Sequence, residues 1–160
     1  MSRGNGTQRS VLVVDDIEDN RVLLERSLRS GGYEVRCASS GAQAIAMMRE
    51  RKPDIVLLDW MMPGLSGLET LNQIRGEYSA AFLPVIMCTA MGEEENVVQA
   101  LEAGANDYVV KPISLPILRA RMTAHLVQCD KVSLLDTERH KTKRRAAQQL
   151  RLLMEERNLG

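Results

Sequence analysis

The sequence has little that would tie it to a membrane or to a secretory route. No run of apolar residues approaches the roughly 18 residues that a membrane-spanning helix needs. Residues 1–10 are polar and contain two glycines, without the apolar stretch of a secretory signal. We therefore expect a soluble, cytoplasmic protein without a membrane partner, in which residues 1–9 form a disordered leader.

The cysteine pattern and the net charge give no sign of disulfides, of a metal site or of a highly charged partner. The three cysteines, Cys37, Cys88 and Cys129, are odd in number and far apart, so they match neither a disulfide framework nor a metal-ligand pattern. The 21 basic residues balance the 21 acidic ones, so no overall charge indicates nucleic acid or a membrane surface. We expect three free thiols.

Apolar runs and helical patterns alternate along most of the 160 residues. Short branched apolar runs predict strands at residues 10–14, 33–38, 55–59, 84–89 and 107–111. Helical spacing predicts helices at residues 17–30, 42–51, 67–78 and 93–103, the first of them with Val22, Leu23, Leu24 and Leu28 as its apolar positions. Such alternation favours an α/β fold with a doubly wound, five-stranded parallel sheet of flavodoxin-like order 2-1-3-4-5. We expect this domain to occupy residues 10–126.

Polar side chains stand where these strands end. Asp15 and Asp16 follow the first strand, Asp59 ends the third, and Thr89 and Lys111 end the fourth and fifth. Because the carboxyl ends of parallel strands share one edge of the sheet, we expect these side chains to meet there, where ligands bind in such sheets.

Three neighbouring carboxylates repel one another, and a hard divalent cation such as Mg²⁺ relieves that repulsion with oxygen ligands. Lys111 cannot bind a metal, so a cation beside the site suggests that an anion also arrives, and a phosphoryl group suits Mg²⁺, an ammonium and a hydroxyl together. Asp59 would be its nucleophilic acceptor. Each residue alone has an ordinary alternative, a helix cap or a solvated lysine, and only their joint occurrence favours a site.

Several motifs resemble those of the receiver domains of two-component response regulators. They are Val13-Val14-Asp15-Asp16, the stretch from Leu57 to Gly64 (LLDWMMPG), Thr89-Ala90, Gly104-Ala105-Asn106-Asp107-Tyr108 and Lys111-Pro112. The resemblance covers residues 10–124. It implies a signalling protein rather than an ordinary enzyme, since the domain catalyses its own phosphorylation on Asp59.

The resemblance also implies roles for individual residues. The phosphoryl group would come from a histidine kinase or a phosphotransfer protein, and Thr89 and Lys111 would contact its oxygens. Tyr108 would switch position with Thr89, and the Lys111–Pro112 peptide bond would be cis. The implied ligands of Mg²⁺ are Asp15, Asp16, Asp59 and the backbone carbonyl of Met61.

Helical patterning continues beyond this domain. Apolar residues at mixed three- and four-residue steps predict one long helix or two consecutive ones, and residues 127–160 would form an extension with some coiled-coil character. We expect a homodimer through this extension, or through the face of the fourth helix, fifth strand and fifth helix. His125 and His140 lack the partners of a phosphotransfer histidine.

A basic cluster lies within the extension. It comprises Arg139, Lys141, Lys143, Arg144 and Arg145. No aromatic residue accompanies it and no helix-turn-helix pattern follows, so the sequence favours a solvated helix face, and we expect no nucleic-acid partner.

Two other functions remain open at this point. One is a Mg²⁺-dependent aspartyl-phosphate phosphatase, although that family carries its nucleophile on the first strand. The other is a receiver that belongs to a larger regulator with a catalytic output. In addition, Met61 and Met91 stand near Asp59 and Thr89 in sequence, and we hypothesise that they shield an acyl phosphate from water.

Overall fold

The structure is a computed structural model that describes residues 8–90 and 93–159. Its strands are β1 (Ser10–Val14), β2 (Glu34–Ala38), β3 (Ile55–Asp59), β4 (Val85–Ala90) and β5 (Asp107–Lys111). Its helices are α1 (Glu18–Ser30), α2 (Gly41–Glu50), α3 (Gly67–Glu77), α4 (Glu94–Glu102) and α5 (Leu115–Arg157). Every predicted element is present, and the ends of the strands and of α1 to α4 lie within one residue of the predicted ends. Differences of this size are usual between sequence patterns and hydrogen-bonded elements.

The five strands form one parallel sheet in the order β2-β1-β3-β4-β5. This arrangement confirms the flavodoxin-like prediction. The order places β1 and β3 side by side in the middle, with Val14 paired with Leu58. The chain adds β2 on one side of β1 and then crosses back to add β3 on the other side, so the strand order reverses between β1 and β3. In such folds, ligands bind in the crevice at the ends of these two strands.

The sheet carries a hydrophobic core on each face because alternate strand residues point to opposite sides. On one face, Leu12, Val14 and Leu58 pack against α2, α3 and α4. On the other face, Val13 and Leu57 pack against α1 and the first turns of α5. The central strands are therefore buried on both sides, which is why they read as continuous apolar runs.

Two helices that follow the sheet edge begin in the same way, with a serine cap and a glycine. Ser40 accepts a hydrogen bond from the backbone N–H of Gln43, and Ser66 accepts one from that of Glu69. A Cβ on Gly67 would lie 2.3 Å from the carbonyl oxygen of Asp59. Glycine at this position lets α3 start directly against the end of β3.

A half-buried arginine ties α3 to the sheet. Arg75 donates hydrogen bonds to the carbonyls of Gly104 and Leu83, at 2.7 and 3.0 Å, and to Asn106 Oδ1 at 2.8 Å. Burial lowers the pKa of Arg75 to about 10. Since Asn106 also accepts from the backbone N–H of Val85, these side chains join α3, β4 and the turn before β5.

Helix α5 is a single helix of 43 residues, which settles the choice between one helix and two. Leu118, Met122 and Leu126 are buried against the sheet, as their spacing predicts. Farther along, Arg9 forms an ion pair with Asp130. All residues from 137 to 159 are exposed, so this part of α5 extends away from the domain as an arm.

Only two of the four apolar positions of α1 reach the core. Leu24 and Leu28 are buried, whereas Val22 is 45% and Leu23 is 60% exposed. Three consecutive residues of a helix point in different directions, so Val22, Leu23 and Leu24 cannot all face the core. Of the three, Leu24 packs against the sheet.

The two chain ends and the cysteines complete the description. Residues 1–7 of the predicted leader lie outside the described part of the chain, whereas Gln8 donates a hydrogen bond to the carbonyl of Gly32. All three cysteines are free thiols. Within the described residues, no helix is both long enough and apolar enough to cross a membrane.

Candidate functional site

Three carboxylates meet at the carboxyl edge of the sheet. The end of β1 positions Asp15 and Asp16, and the last residue of β3 is Asp59. One oxygen from each residue lies within 4.8 Å of the others, and Asp15 and Asp59 are only 3% and 4% exposed. The structure thus brings together the three acidic residues that the sequence predicted.

Lys111, the last residue of β5, reaches the same site. Its Nζ donates a hydrogen bond of 2.9 Å to Asp59 Oδ1 and lies 3.4 Å from Asp15 Oδ2. The peptide bond between Lys111 and Pro112 is cis. One cation therefore lies between two buried carboxylates.

The charges in the site are not balanced. Burial raises the pKa of Asp59, and the nearby charges of Asp15 and Asp16 raise it further, against the opposing effect of Lys111. Burial lowers the pKa of Lys111, but the hydrogen bond and charge of Asp59 outweigh burial and hold it above its ordinary value. The effect of the single Lys111 ammonium on Asp59 is thus smaller than the combined effect of burial and the two neighbouring carboxylates.

The oxygen-only donor set fits a hard divalent cation. Carboxylate oxygens are the ligands that Mg²⁺ prefers, and this ion commonly keeps several waters. Among residues 8–90 and 93–159, Asp16 Oδ1 is buried without a hydrogen-bond partner, which leaves its lone pairs for a ligand. Asp15, Asp16 and Asp59 could together hold Mg²⁺.

Thr89 adds a hydroxyl group on the neighbouring strand. It is 1% exposed, and its Oγ1 has no hydrogen-bond partner in the described part of the chain. Residue Cys88, immediately before it, pairs with Asp59 across β3 and β4. A buried, unpaired hydroxyl is costly, so this one is suited to bind an oxygen of an incoming group.

The surroundings of Asp15 contain contacts that the sequence did not predict. Asp15 Oδ1 accepts from the backbone N–H of Ile17, Oδ2 accepts from Asn20, and Arg21 donates to the Asp15 carbonyl. These bonds fix the orientation of the carboxylate. The feature of the sequence that could have predicted these contacts is the short spacing between Asp15 and the first turn of α1.

Two predicted residues stand at the border of the site. Met61 follows β3, and its side chain is 65% exposed. Tyr108 is partly buried and packs against the core on the α2–α4 face. Met91, which was predicted to act with Met61, lies outside the described residues.

An apolar surface adjoins the acidic site. Ile17, the residue before α1, is 51% exposed, and Val22 and Leu23 within the helix are 45% and 60% exposed. A cleft next to this helix is lined by Leu23, Asp15, Lys111 and residues that follow β5, among them Ile113. The exposed apolar side chains thus lie beside the carboxylates.

Comparison with known proteins relates this geometry to a family. The family model described as "Response regulator receiver domain" matches residues 11–123. The chain is 43% identical over 118 residues to the phosphate regulon transcriptional regulatory protein PhoB of Pseudomonas aeruginosa, covering 74% of this chain and 52% of that protein. It is 41% identical to the PhoB protein of Rhizobium meliloti, covering 85% and 64%. The chain thus spans less than two thirds of these relatives, whose names give no support to our expectation that nucleic acid is not a partner.

The fold also matches a solved receiver structure. The chemotaxis protein CheY4 of Vibrio cholerae superposes with a TM-score of 0.69 at 28% identity, covering 74% of this chain and 98% of that one. The match with the family model extends over most of the domain that carries the acidic site. The chain therefore belongs to the family of response regulator receiver domains.

Proposed function

We propose that Asp59 accepts a phosphoryl group from the phosphohistidine of a histidine kinase or a phosphotransfer protein. The observation that carries this proposal is the contact of Lys111 with Asp59 within a cluster of three carboxylates. Receiver domains bind Mg²⁺ through an acidic pocket, and the donor set formed by Asp15, Asp16 and Asp59 supports such a site here. We also assign the backbone carbonyl of Met61 to this ligand set.

In the transfer step, an oxygen of the Asp59 carboxylate forms a bond to phosphorus while the bond between phosphorus and the histidine nitrogen breaks. The carboxylate is already a nucleophile, so no general base is required. Mg²⁺ held by Asp15, Asp16 and Asp59 would supply charge neutralisation for the phosphoryl oxygens. The Lys111 ammonium and the Thr89 hydroxyl donate hydrogen bonds to the same oxygens, which stabilises the transferred charge.

The phosphoryl group then changes the protein through Thr89 and Tyr108. The unpaired Thr89 hydroxyl gains an acceptor and moves toward it, and Tyr108 follows into the space beside β4. Exposed apolar residues on the face formed by α4, β5 and α5 support a role for this face in dimerisation. They are Val98, Leu101, Val110 and Ile117.

Residues 10–126 would act as the receiver in the cytoplasm, and residues 127–160 as a helix that connects the receiver, in a dimer, to an output. The continuity of α5 from the sheet to residue 157 supports this role. The relatives are named as transcriptional regulatory proteins, which makes control of transcription the output that we propose.

Phosphorylation with acetyl phosphate tests the proposal. We expect the protein to gain the mass of one phosphoryl group when Mg²⁺ is present, and to gain none with EDTA. The Asp59→Asn variant should gain none in either case, whereas Asp19→Asn, which changes an exposed carboxylate on α1, should behave as wild type.

The oligomeric state and the turnover are measured on the same samples. Phosphorylation should favour the dimer in analytical ultracentrifugation, and Leu101→Arg should weaken it. Catalytic turnover of p-nitrophenyl phosphate would instead favour the aspartyl-phosphate phosphatase. Absence of any stable phosphorylation in wild type would contradict the receiver function of this chain.

A further inference from the structure

The arm of α5 contains a stretch in which cations have no counter-charge. Residues 139–151, which we call the basic segment, contain six Lys and Arg residues and no Asp or Glu. Within the described part of the chain, the five cations from Arg139 to Arg145 form no ion pair, and only Arg151 pairs, with Glu155. All residues of the segment are exposed. The sequence favoured a solvated face, but the structure reveals that no part of the domain compensates these charges.

Charge is separated between the domain and the arm. Nineteen of the 21 acidic residues precede Arg139, whereas seven of the 21 basic residues follow Glu138. The basic segment begins about 20 Å beyond Leu126, the last buried residue of α5. An anionic partner can therefore reach the segment without approaching the acidic domain.

The cations lie on opposite sides of the helix. With about 100° of rotation per residue, Arg139 and Lys143 fall on one side, and Lys141, Arg144 and Arg145 fall on the other. Between these two rows, the residues are small or uncharged, such as Thr142 and Ala147. The matching partner is one that presents negative charge to both sides of a helix at once.

Most anionic partners cannot bind a helix that has cations on both sides and little apolar or aromatic surface. An anionic membrane needs an apolar face opposite the cations, and the basic segment offers only two alanines and Leu150. Single-stranded nucleic acid is bound with stacking aromatic side chains, and the segment has none. The acidic surface of a second copy would contact one row and leave the other uncompensated.

Duplex nucleic acid can present negative charge to both sides of a helix at once. The major groove is about 12 Å wide, admits one α-helix and has a phosphate backbone along each wall. We propose that the basic segment binds the phosphate backbones of duplex nucleic acid, with the helix in the major groove and without base specificity. This interaction surface is separate from the acidic site and does not depend on phosphorylation of Asp59.

Fluorescence anisotropy with a labelled duplex DNA of about 24 base pairs and arbitrary sequence tests the proposal. Phosphate contacts release counterions, so the logarithm of the binding constant should fall linearly with the logarithm of salt concentration. Contacts from about five cations predict a slope of about −4.5. Circular dichroism of every variant checks that α5 remains helical.

A matched pair of double variants locates the contact. Lys143→Gln with Arg144→Gln should reduce the slope by about two and weaken binding at least tenfold at low salt. Arg26→Gln with Lys131→Gln removes the same charge from two exposed cations outside the segment and should bind as wild type. An equal loss in both pairs, or no anisotropy change in wild type at about 25 mM salt, would overturn the proposal.

One further variant separates this proposal from the function of the acidic site. Asp59→Asn should bind the duplex as tightly as wild type. Loss of binding in Asp59→Asn would overturn the independence of the two sites, whereas failure of phosphorylation in wild type would leave the duplex measurement unchanged.

Discussion

Lys111 Nζ donates a hydrogen bond of 2.9 Å to Asp59 Oδ1, which joins the end of an outer strand to the end of a central one. Asp59 nevertheless has a raised pKa, because it is buried and two more carboxylates lie beside it. Three carboxylates beside one ammonium leave an excess of negative charge, which favours a bound cation.

Magnesium should stabilise the folded protein. At a concentration ten times its Kd, an ion that binds only the folded state adds about 1.4 kcal/mol, or roughly 3–6 °C in Tm for a protein of this size. Thermal unfolding with and without Mg²⁺ measures this shift. Asp16→Asn should abolish it and Asp19→Asn should keep it; an equal shift in both variants would show that the ion binds elsewhere.

Asp107 should stabilise the protein in a pH-dependent way. It accepts from Arg121 at 2.7 Å and lies 2.9 Å from His125 Nε2. Burial raises the pKa of Asp107, but these hydrogen bonds outweigh burial and hold it below its ordinary value. The ionised carboxylate therefore stabilises the fold above the unfolded pKa of about 3.9, and this contribution is lost as pH falls through the folded pKa.

We accordingly expect Asp107→Asn to lower the free energy of unfolding by about 1–2 kcal/mol at pH 7. The difference from wild type should shrink below about pH 4. Urea unfolding at several pH values measures both effects. A cost that stays constant down to pH 3 would mean that packing, not charge, is what Asp107 contributes.

Replacement of Arg75 by methionine should be strongly destabilising. The methionine keeps much of the apolar stem but removes the donor to the carbonyls of Gly104 and Leu83 and one of the two hydrogen bonds that Asn106 Oδ1 accepts. We expect a loss of about 2–4 kcal/mol in urea unfolding. Arg26→Met, which changes an exposed arginine on α1, should stay within about 0.5 kcal/mol of wild type. Similar small effects for both would show that the Arg75 hydrogen bonds are replaced by water.

The exposed Met61 side chain leads to a kinetic prediction. If it limits the approach of water to the acyl phosphate, Met61→Asn should speed hydrolysis, and a fivefold change corresponds to about 1 kcal/mol in the barrier. Loss of radiolabel from phosphorylated protein gives the rate. Met61→Leu, which keeps an apolar side chain, should retain the wild-type rate. Unchanged decay in Met61→Asn would reject the shielding role.

The sheet and the acidic cluster were predictable because strands buried on both faces have an unmistakable pattern and an abrupt end. Once β1 and β3 were located, parallel pairing alone brought Asp15 and Asp59 together. The family resemblance added the roles of these residues, whereas the residues themselves came from the pattern.

Other features depend on tertiary contacts that local sequence does not encode. The three apolar residues at the middle of α1 left its rotation ambiguous, so the exposure of Val22 and Leu23 could not be foreseen. The burial of Arg75 depends on acceptors from residues 83 to 106, far along the chain. The continuity of α5 through its charged middle was likewise open, since helical spacing there is compatible with a break.

The arm of α5 has a mechanical consequence. From Leu126 to its end at Arg157, the helix continues without interruption over about 45 Å. A tilt of about 10° at the sheet would displace its tip by about 8 Å. The helix is thus a lever, and a rearrangement too small to alter the domain visibly would become a large displacement for anything attached to its far end.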